Sequence, residues 1–250
     1  MRDVRVATSE RVAFWQPRPE WIGLILQASP APKKDMNPTQ TFLENLRTTA
    51  WRTAGARFNA ARRLKRRDWF ATFSVAMFSA ISVGLALVQK IYALRAGTPV
   101  DNYVTALAVC IGLFVIIISL IEWGAGNAVK ADSLHLSGEE LNSFQRKLGQ
   151  RLSEAPDGNP SGAAEVTALR EEYEEIKHEC PYNHEPVDHL LFLAEHRLGP
   201  EFADQSGNPT ISRLGGGWIK LRSLLSAIWY FGLFWIVILF LLWFTPWKLV

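Results

Sequence analysis

Four histidines and one cysteine, gathered in a single polar segment, are the residues of this sequence most suited to chemistry. His178, His184, His189 and His196 fall within nineteen residues, and Cys180 lies among them. Imidazole and thiolate groups bind zinc, so this density raises the hypothesis of a metal site. The spacing matches no closed zinc pattern, however, and the sequence contains neither a CxxC pair nor HExxH. Surface or helix-capping histidines are therefore the favoured interpretation, and no metal or cofactor is predicted.

Motifs for phosphate binding and nucleophilic catalysis are not found in the sequence. It contains no GxxxxGK[ST], no GxSxG and no GxGxxG after a strand. The glycine run at 215–217 leads directly into an apolar segment and suits a hinge better than a phosphate-binding loop. We therefore predict that this protein is not an enzyme.

Three apolar segments dominate the chain and predict its fold class. Residues 69–92, 103–121 and 224–244 are each long and apolar enough for a spanning helix, which needs about 20 residues. The connection between the first two is short. We predict an all-α integral membrane protein, with a two-helix transmembrane hairpin, a cytoplasmic helical bundle and a third C-terminal transmembrane helix.

Two stripes of side chains on the predicted hairpin favour a specific role for it. Small residues at four-residue spacing allow close helix approach and form a candidate packing surface, namely Ala76, Ala80, Gly84, Ala108 and Gly112. Polar residues on the first crossing form a candidate pore lining, namely Thr72, Ser79, Ser82 and Gln89. Packing within a hairpin or oligomer is the simpler interpretation. The alternative is a water-filled path along the polar stripe once several subunits assemble.

A basic cluster before the first crossing predicts the orientation of the chain. Its members flank the membrane and are Arg57, Arg62, Arg63, Lys65, Arg66 and Arg67. Basic flanks stay in the cytoplasm, so the N-terminus is expected inside and the C-terminus outside. Contacts with anionic lipid are favoured for this cluster over nucleic-acid binding.

Outside the membrane, the apolar periodicity predicts cytoplasmic helices at 41–67, 124–152, 163–179 and 187–198. Leu134, Leu141 and Leu148 repeat every seven residues, which indicates packing against other segments or another subunit. Residues 199–223 are expected to be a linker to the third crossing. Residues 1–35 are proline-rich and precede Met36, so we expect a disordered or mis-annotated extension there.

Particular residues on both sides of the hairpin carry a family resemblance that covers roughly residues 40–195. Arg57, Arg62 and Leu64 precede the membrane, and a second group follows it, namely Tyr173, Ile176, Asn183, His184 and Asp188. With the short-loop hairpin, this arrangement resembles the SLATT family of bacterial membrane effectors associated with nucleotide signalling. We assign residues 36–198 to the SLATT-like domain and treat the second group as a candidate cytoplasmic motif. The third crossing resembles a subgroup often associated with reverse transcriptases.

The resemblance implies a membrane effector of antiviral defence, located in the bacterial inner (plasma) membrane. Its expected action is to assemble as a homo-oligomer in the lipid bilayer and form a pore or disrupt the membrane, in an abortive infection response. A reverse transcriptase, a nucleotide-signalling enzyme or the nucleic-acid or nucleotide product of either is the implied partner. The rival hypothesis is a membrane anchor or scaffold that recruits a soluble enzyme. A small transporter is disfavoured because the sequence lacks inverted repeats and midplane charges.

Overall fold

The computed structural model describes residues 38–92, 95–154, 162–203 and 207–243. Within these ranges the chain forms six α-helices and one short 3-10 helix at Pro200–Phe202, and no strand is present there. The α-helices are α1 Pro38–Ile91, α2 Pro99–Ala125, α3 Asn127–Glu154, α4 Ala163–Glu179, α5 Pro186–Glu195 and α6 Arg213–Trp243. The all-α prediction is confirmed. The interpretation of residues 1–35 lies outside the described residues.

Helix α1 is the axis around which the other helices pack. The two helices predicted at 41–67 and 69–92 are one continuous helix of 54 residues, about 80 Å long at the standard rise. No proline interrupts it. Its N-terminal half carries the basic cluster and its C-terminal half is apolar, so one rigid element joins two chemically different parts of the molecule. We call these parts the polar bundle (α1 before residue 68, with α3, α4 and α5) and the apolar bundle (the rest of α1, with α2 and α6).

The apolar hairpin is set by local signals at both ends of α2. Thr98 caps the helix, its hydroxyl accepting a hydrogen bond from the backbone N–H of Asp101, and Pro99 occupies the first turn. At the other end Gly126 adopts a left-handed conformation with φ of 59°, which glycine accommodates without strain. Helix α3 starts at the next residue. The chain therefore passes from the apolar bundle into the polar bundle with a single residue between helices.

The polar bundle has a core formed by the predicted periodic residues. Leu141, Phe144 and Leu148 of α3 pack with Leu43 and Leu46 of α1 and with α4. Leu134 packs separately against the alanines of α1. On the opposite side, Gly55 allows α5 to approach, because an added Cβ there would lie 2.1 Å from Phe192 Cδ2. The interpretation of the seven-residue spacing as packing between these segments is confirmed within the single chain.

Helix α6 begins eleven residues earlier than predicted, at Arg213. The segment 199–223 is therefore not a simple linker, and the glycines at 215–217 lie inside the helix. Ser212 provides the start, since its hydroxyl accepts a hydrogen bond from the N–H of Gly215 at 3.1 Å. Gly216 is buried, and the position of its missing Cβ lies 3.9 Å from Ala194 of α5. Small residues here serve a close helix contact that the sequence pattern did not indicate.

The apolar bundle contains three helices that are long and apolar enough to cross a membrane. Phe78 of α1 and Phe231 of α6 are its largest buried side chains. Three exposed tryptophans, Trp69, Trp123 and Trp229, lie one on each helix near the junction with the polar bundle. Tryptophan favours the membrane–water interface. This ring therefore marks where the bilayer surface meets the protein.

Candidate functional site

A cluster of polar side chains joins all three membrane helices at the level of the tryptophan ring. We call it the boundary cluster, and it consists of Arg67, Glu122, Asn127 and Tyr230. Arg67 donates a hydrogen bond to Glu122 Oε1 at 2.9 Å, and the Tyr230 hydroxyl donates to the same oxygen. Asn127 donates to Glu122 Oε2 at 2.9 Å. The carboxylate of Glu122 is thus held from α1, α3 and α6 at once.

The boundary cluster is largely withdrawn from water. The side chain of Glu122 is 10% exposed and that of Arg67 is 31% exposed. The guanidinium of Arg67 also lies over the Tyr230 ring, 5.3 Å from its centroid. Burial alone would lower the pKa of Arg67, but its hydrogen bond and charge pairing with Glu122 reverse this and raise the pKa. Arg67 therefore stays charged, and the cluster is a persistent electrostatic connection between the membrane helices.

A second buried ion pair fastens α5 to α1 within the polar bundle. Arg63 donates two hydrogen bonds to Asp188, from Nε to Oδ1 at 2.9 Å and from Nη2 to Oδ2 at 3.0 Å. Both side chains are buried, and Asp188 is fully so. Asn59 supports the same residue by donating to its backbone carbonyl at 3.1 Å. Burial would lower the pKa of Arg63, but Asp188 and Glu185 offset this and raise it.

Asp188 has a second structural role at the start of α5. Its Oδ2 accepts a hydrogen bond from the backbone N–H of Glu185 at 2.9 Å, which completes a capping box around the first turn. One carboxylate therefore both starts the helix and binds it to α1. Any change at this residue affects the fold of α5 and its attachment together.

The structure differs from the lipid-facing interpretation of the basic cluster. Arg57 and Arg63 are buried, because α3, α4 and α5 surround this part of α1. Arg57 donates to the Ser137 hydroxyl of α3 and to the Lys177 carbonyl of α4 at 3.3 Å. The remaining surface pairs are Arg62–Glu195 at 3.7 Å and Lys65–Asp132 at 3.0 Å, while Arg66 is exposed. Only Arg63 and Arg67 of this cluster therefore pair with shielded carboxylates, while Arg57 is buried against neutral acceptors and the other members stay at the surface.

The candidate cytoplasmic motif residues are brought close to the same arginines. Tyr173 is buried, and its hydroxyl lies 3.3 Å from Thr53 Oγ1 of α1. The carbonyl of Ile176 accepts from Ser137 at 3.4 Å. Asn183 is exposed and its side chain accepts from the N–H of His184 at 2.9 Å. The motif therefore joins α3, α4 and α5 to the basic half of α1.

The structure separates the predicted polar stripe into different environments. Thr72 is exposed, and Ser79 donates to the Val75 carbonyl of its own helix at 2.8 Å. Ser82 donates instead to the Ala108 carbonyl of α2 at 3.0 Å. Gln89 donates to Thr105 Oγ1 at 2.7 Å and to Asp101. In the single chain, Ser82 and Gln89 thus hold the hairpin together.

The predicted small-residue stripe is likewise divided. Gly112 and Ala108 lie in the hairpin contact, since a Cβ on Gly112 would meet Ser82 Oγ at 3.9 Å. Ala76 and Ala80 are exposed, and nothing lies within 4 Å of the position of a Cβ on Gly84. The α1 half of this stripe therefore faces away from the described helices.

The histidines remain apart from any metal-binding arrangement. No group of three metal-ligating side chains occurs among the residues that the structure describes. His184 and His189 have ring centroids 6.3 Å apart. Burial lowers the pKa of His184, and burial, followed by electrostatic repulsion from the neighbouring His184 and Arg52 as the site is protonated, lowers the pKa of His189 to about 4. Both are therefore neutral at physiological pH, so they add no charge beside Arg63.

Acidification is expected to destabilise the polar bundle through His189. Its pKa is 6.5 when exposed and about 4 in the fold, so the unfolded state binds the proton first as pH falls. The stabilisation from neutral His189 is present above pH 6.5 and is lost as the pH drops toward 4. Between about pH 7.5 and about pH 5, the free energy of unfolding is expected to fall by about 1 kcal/mol after solvent screening. Hydrogen exchange of α5 at the two pH values measures this, and H189Q should reduce the difference. An equal pH dependence in H189Q would contradict the assignment.

A comparison with known protein families identifies the chain. The model of SLATT_5, the SMODS and SLOG-associating 2TM effector domain family 5, matches residues 39–245. The chain belongs to this SLATT family. The match includes the two buried ion pairs and all three apolar helices, so α6 lies within the region of family similarity. No curated protein and no solved structure matches the chain. The apolar helices and the family together make it a membrane protein with an effector domain.

Proposed function

We propose that this protein is an effector of a bacterial antiviral defence system that permeabilises the inner membrane and arrests growth or kills the cell. The observation that carries the proposal is the continuity of α1, together with the boundary cluster at its midpoint. Any partner that shifts the polar bundle applies a displacement directly to a membrane helix, since no flexible joint intervenes. The SLATT assignment supports the effector role.

In this proposal the polar bundle lies in the cytoplasm, with the N-terminus inside and the C-terminus outside. Exposed basic residues on this side, such as Arg66 and Lys220, support that orientation. The trigger would be a reverse transcriptase, a nucleotide-signalling enzyme or the product of either, bound on the polar bundle. The same face of the molecule thus receives the signal and bears the connection to the membrane helices.

Permeation would require several copies. The exposed Thr72 and the small residues Ala76 and Ala80 share the outward side of α1, where a neighbouring copy could pack closely. Ser82 and Gln89 hold the hairpin in the single chain. They would line a path only if the hairpin contact rearranged. Opening would therefore exchange hydrogen bonds within the hairpin for contacts with water and with another copy.

Membrane-potential dye recordings in cells carrying the complete triggered system test this proposal. We expect depolarisation to precede growth arrest in the wild type. Arg66→Gln, which changes an exposed charge outside the clusters, serves as a control and should depolarise normally. Growth arrest with an unchanged membrane potential would refute permeabilisation.

A membrane scaffold that recruits a soluble enzyme is the second candidate, and the satisfied hairpin favours it. A static anchor needs no water path, and the hydroxyls of Ser79 and Ser82 are already hydrogen-bonded. The double variant T72V/S79A removes two hydroxyls while leaving the Ser82 bond intact. A scaffold should retain full defence with these changes, whereas a conducting path should lose permeation without losing membrane insertion.

A further inference from the structure

The N-terminal half of α6 carries an apolar stripe that nothing in the described chain covers. Leu214 is 89% exposed, Trp218 62%, and Leu221 and Leu225 44% each. Their spacings of four, three and four residues place them on one side of the helix. Exposed apolar side chains continue toward the other end of the helix at Ile236 and Trp243. We call the four residues from Leu214 to Leu225 the α6 stripe.

Lipid cannot cover most of the α6 stripe while α6 spans the bilayer. The helix is continuous from Arg213 to Trp243, and Trp229 lies in the tryptophan ring at the membrane surface. At the standard rise, Leu225 lies about 6 Å beyond this ring and Leu214 about 22 Å beyond it. The stripe from Leu214 to Leu221 therefore lies outside the predicted crossing, next to the polar bundle, and Leu225 lies at the membrane surface. A partner that covers both this stripe and the apolar surface above it must itself have membrane helices that continue into a polar bundle.

A surface on another side of this same chain has matching features. Val129 and Leu136 of α3 are 65% and 59% exposed, one above the other at seven-residue spacing. Glu175 and Glu179 of α4 are also exposed and have no ion-pair partner among the described residues. The two pairs are neighbours, because Cys180 Sγ lies 3.7 Å from the carbonyl of Ser133, midway between Val129 and Leu136. We call these four residues the α3–α4 groove.

The two surfaces agree in depth below the membrane. We measure depth along the helix axes from the boundary cluster, using the standard rise per residue. In the groove, Val129 then lies at a depth of about 10 Å and Leu136 at about 21 Å. The stripe spans the same interval, from Leu225 at about 8 Å to Leu214 at about 24 Å. Because the bilayer fixes the height of every copy, apolar residues of the stripe and of the groove would meet without a vertical shift.

Charged residues beside the two surfaces are opposite in sign and lie at similar depths. Lys220 and Arg213 of α6 are exposed and have no ion-pair partner in the described part of the chain. Measured along the helix axis at the standard rise, Lys220 lies about 15 Å and Arg213 about 25 Å from the boundary cluster. Glu179 and Glu175, whose height is set by the contact of Cys180 with Ser133, lie about 17 Å and about 23 Å from it. Pairing two α6 helices would instead bring like charges together, which is unfavourable.

We propose that the α6 stripe of one copy docks in the α3–α4 groove of a second copy, and that this contact is the part of the assembly interface that lies outside the membrane. The two surfaces differ and lie on different flanks, since α6 packs against α5 whereas α4 packs against α3. The contact is therefore head to tail, and repeated contacts of this kind form a ring when the rotation between successive copies closes. This inference rests on the proposed function in that a ring of membrane helices is the arrangement that could enclose a path.

A charge-swap experiment tests the interface. One variant, R213E/K220E, makes the stripe edge acidic, and another, E175K/E179K, makes the groove basic. Each alone should weaken assembly about tenfold by placing like charges opposite each other. The two variants mixed, or all four changes in one chain, should restore it. The control R146E/R170E carries the same change in net charge as the first variant and should assemble normally.

The measurement is subunit counting by single-molecule photobleaching of the full-length chain in phosphatidylcholine vesicles, whose neutral lipid cannot pair with Arg213 or Lys220. Assembly that is unchanged in both variants, or that is lost but not restored by mixing, would overturn the proposed interface. A wild-type chain that stays monomeric at every protein density would do the same. If the swap restores assembly but no variant depolarises cells, the interface stands and permeabilisation fails.

Discussion

Replacing Asp188 by alanine is expected to lower the free energy of unfolding of the polar bundle by about 3–5 kcal/mol, the cost of breaking a buried ion pair. The variant leaves the guanidinium of Arg63 buried without its bidentate partner. It also removes the side chain that accepts from the N–H of Glu185 and caps α5. Loss of the buried pairing is the larger of the two losses, because the remaining partner of Arg63 is the exposed Glu185 at 3.2 Å, whereas a helix cap contributes about 1 kcal/mol.

Hydrogen exchange of the α5 backbone in detergent-solubilised protein measures this loss, since α5 is the element that Asp188 fastens. R63A should also be destabilised, but the double variant R63M/D188L should recover part of the loss because it buries no charge. E195A is the matched control. It breaks the exposed Arg62–Glu195 contact of 3.7 Å, for which we expect less than about 1 kcal/mol. A D188A effect no larger than that of E195A would contradict the assigned role.

Much of this fold follows from rules that act locally along the chain. A spanning helix requires a long uncharged run, so the three membrane helices are visible in composition alone. The leucines of α3 were predictable for a similar reason, because burying one face of a helix imposes a regular period. Helix α4 was predicted at 163–179 and lies at Ala163–Glu179.

The Arg63–Asp188 ion pair could not be predicted, because its two members are distant in sequence. Arg63 and Asp188 are 125 residues apart, and nothing near either residue indicates the other. Arg57 and Arg63 are charged and lie close to the first crossing in the sequence, which favours a surface position. Both are buried instead, because α3, α4 and α5 pack around this part of α1. The resemblance to SLATT proteins selected Asp188 but did not state its structural reason.

The boundary cluster was missed for a different reason. Glu122 follows the uncharged run of the second segment, and Tyr230 lies within the third, so each resembles an ordinary end or filler residue. One usable signal existed. A carboxylate directly at the end of an apolar helix needs a cation nearby, and Arg67 stands at the corresponding end of the first crossing. Pairing across crossings could have been tested from this alone.

The unexpected start of α6 at Arg213 changes how the third crossing relates to the rest. Glycine-rich sequence usually indicates flexibility, but Gly216 is buried against α5 and extends a rigid helix. Both α1 and α6 therefore run uninterrupted from one bundle to the other. A displacement of α5, which contacts both helices, would reach the membrane through two rigid elements, and the boundary cluster is where those elements are tied.

Replacing Glu122 by alanine is therefore expected to depolarise cells in the absence of any trigger. The variant removes the carboxylate that Arg67, Asn127 and Tyr230 share, and it leaves a half-buried guanidinium without its counter-charge. Loss of one such charged hydrogen bond costs about 1.5–3 kcal/mol. If the cluster exists only in the resting arrangement, a loss of this size raises the population of the active arrangement about tenfold to a hundredfold.

Smaller changes at the same cluster should give a graded response. Y230F removes one donor to Glu122 and should give a weaker basal depolarisation than E122A, and N127A, which affects only the second oxygen, should be weaker still. Y103F is the matched control. Its hydroxyl ties α2 to the Leu241 carbonyl of α6 at 3.0 Å, at the opposite end of the apolar bundle. It should leave untriggered cells polarised, because it removes a tyrosine contact with α6 without disturbing a charge.

Membrane-potential dye fluorescence in untriggered cells, normalised to the amount of membrane-inserted protein, ranks these variants. The order E122A, Y230F, N127A and Y103F from strongest to weakest would identify the cluster as the contact that holds the resting state. Polarised E122A cells that also fail to respond to the trigger would contradict this role and indicate that Glu122 is needed in the active arrangement. The two outcomes are separable because the same substitution has opposite effects on depolarisation. It increases depolarisation if the cluster holds the resting arrangement, and it prevents depolarisation if the cluster is required in the active arrangement. Arg67 would remain charged in both cases. Whether depolarisation increases or is lost therefore depends only on which arrangement contains the contact of Arg67 with Glu122.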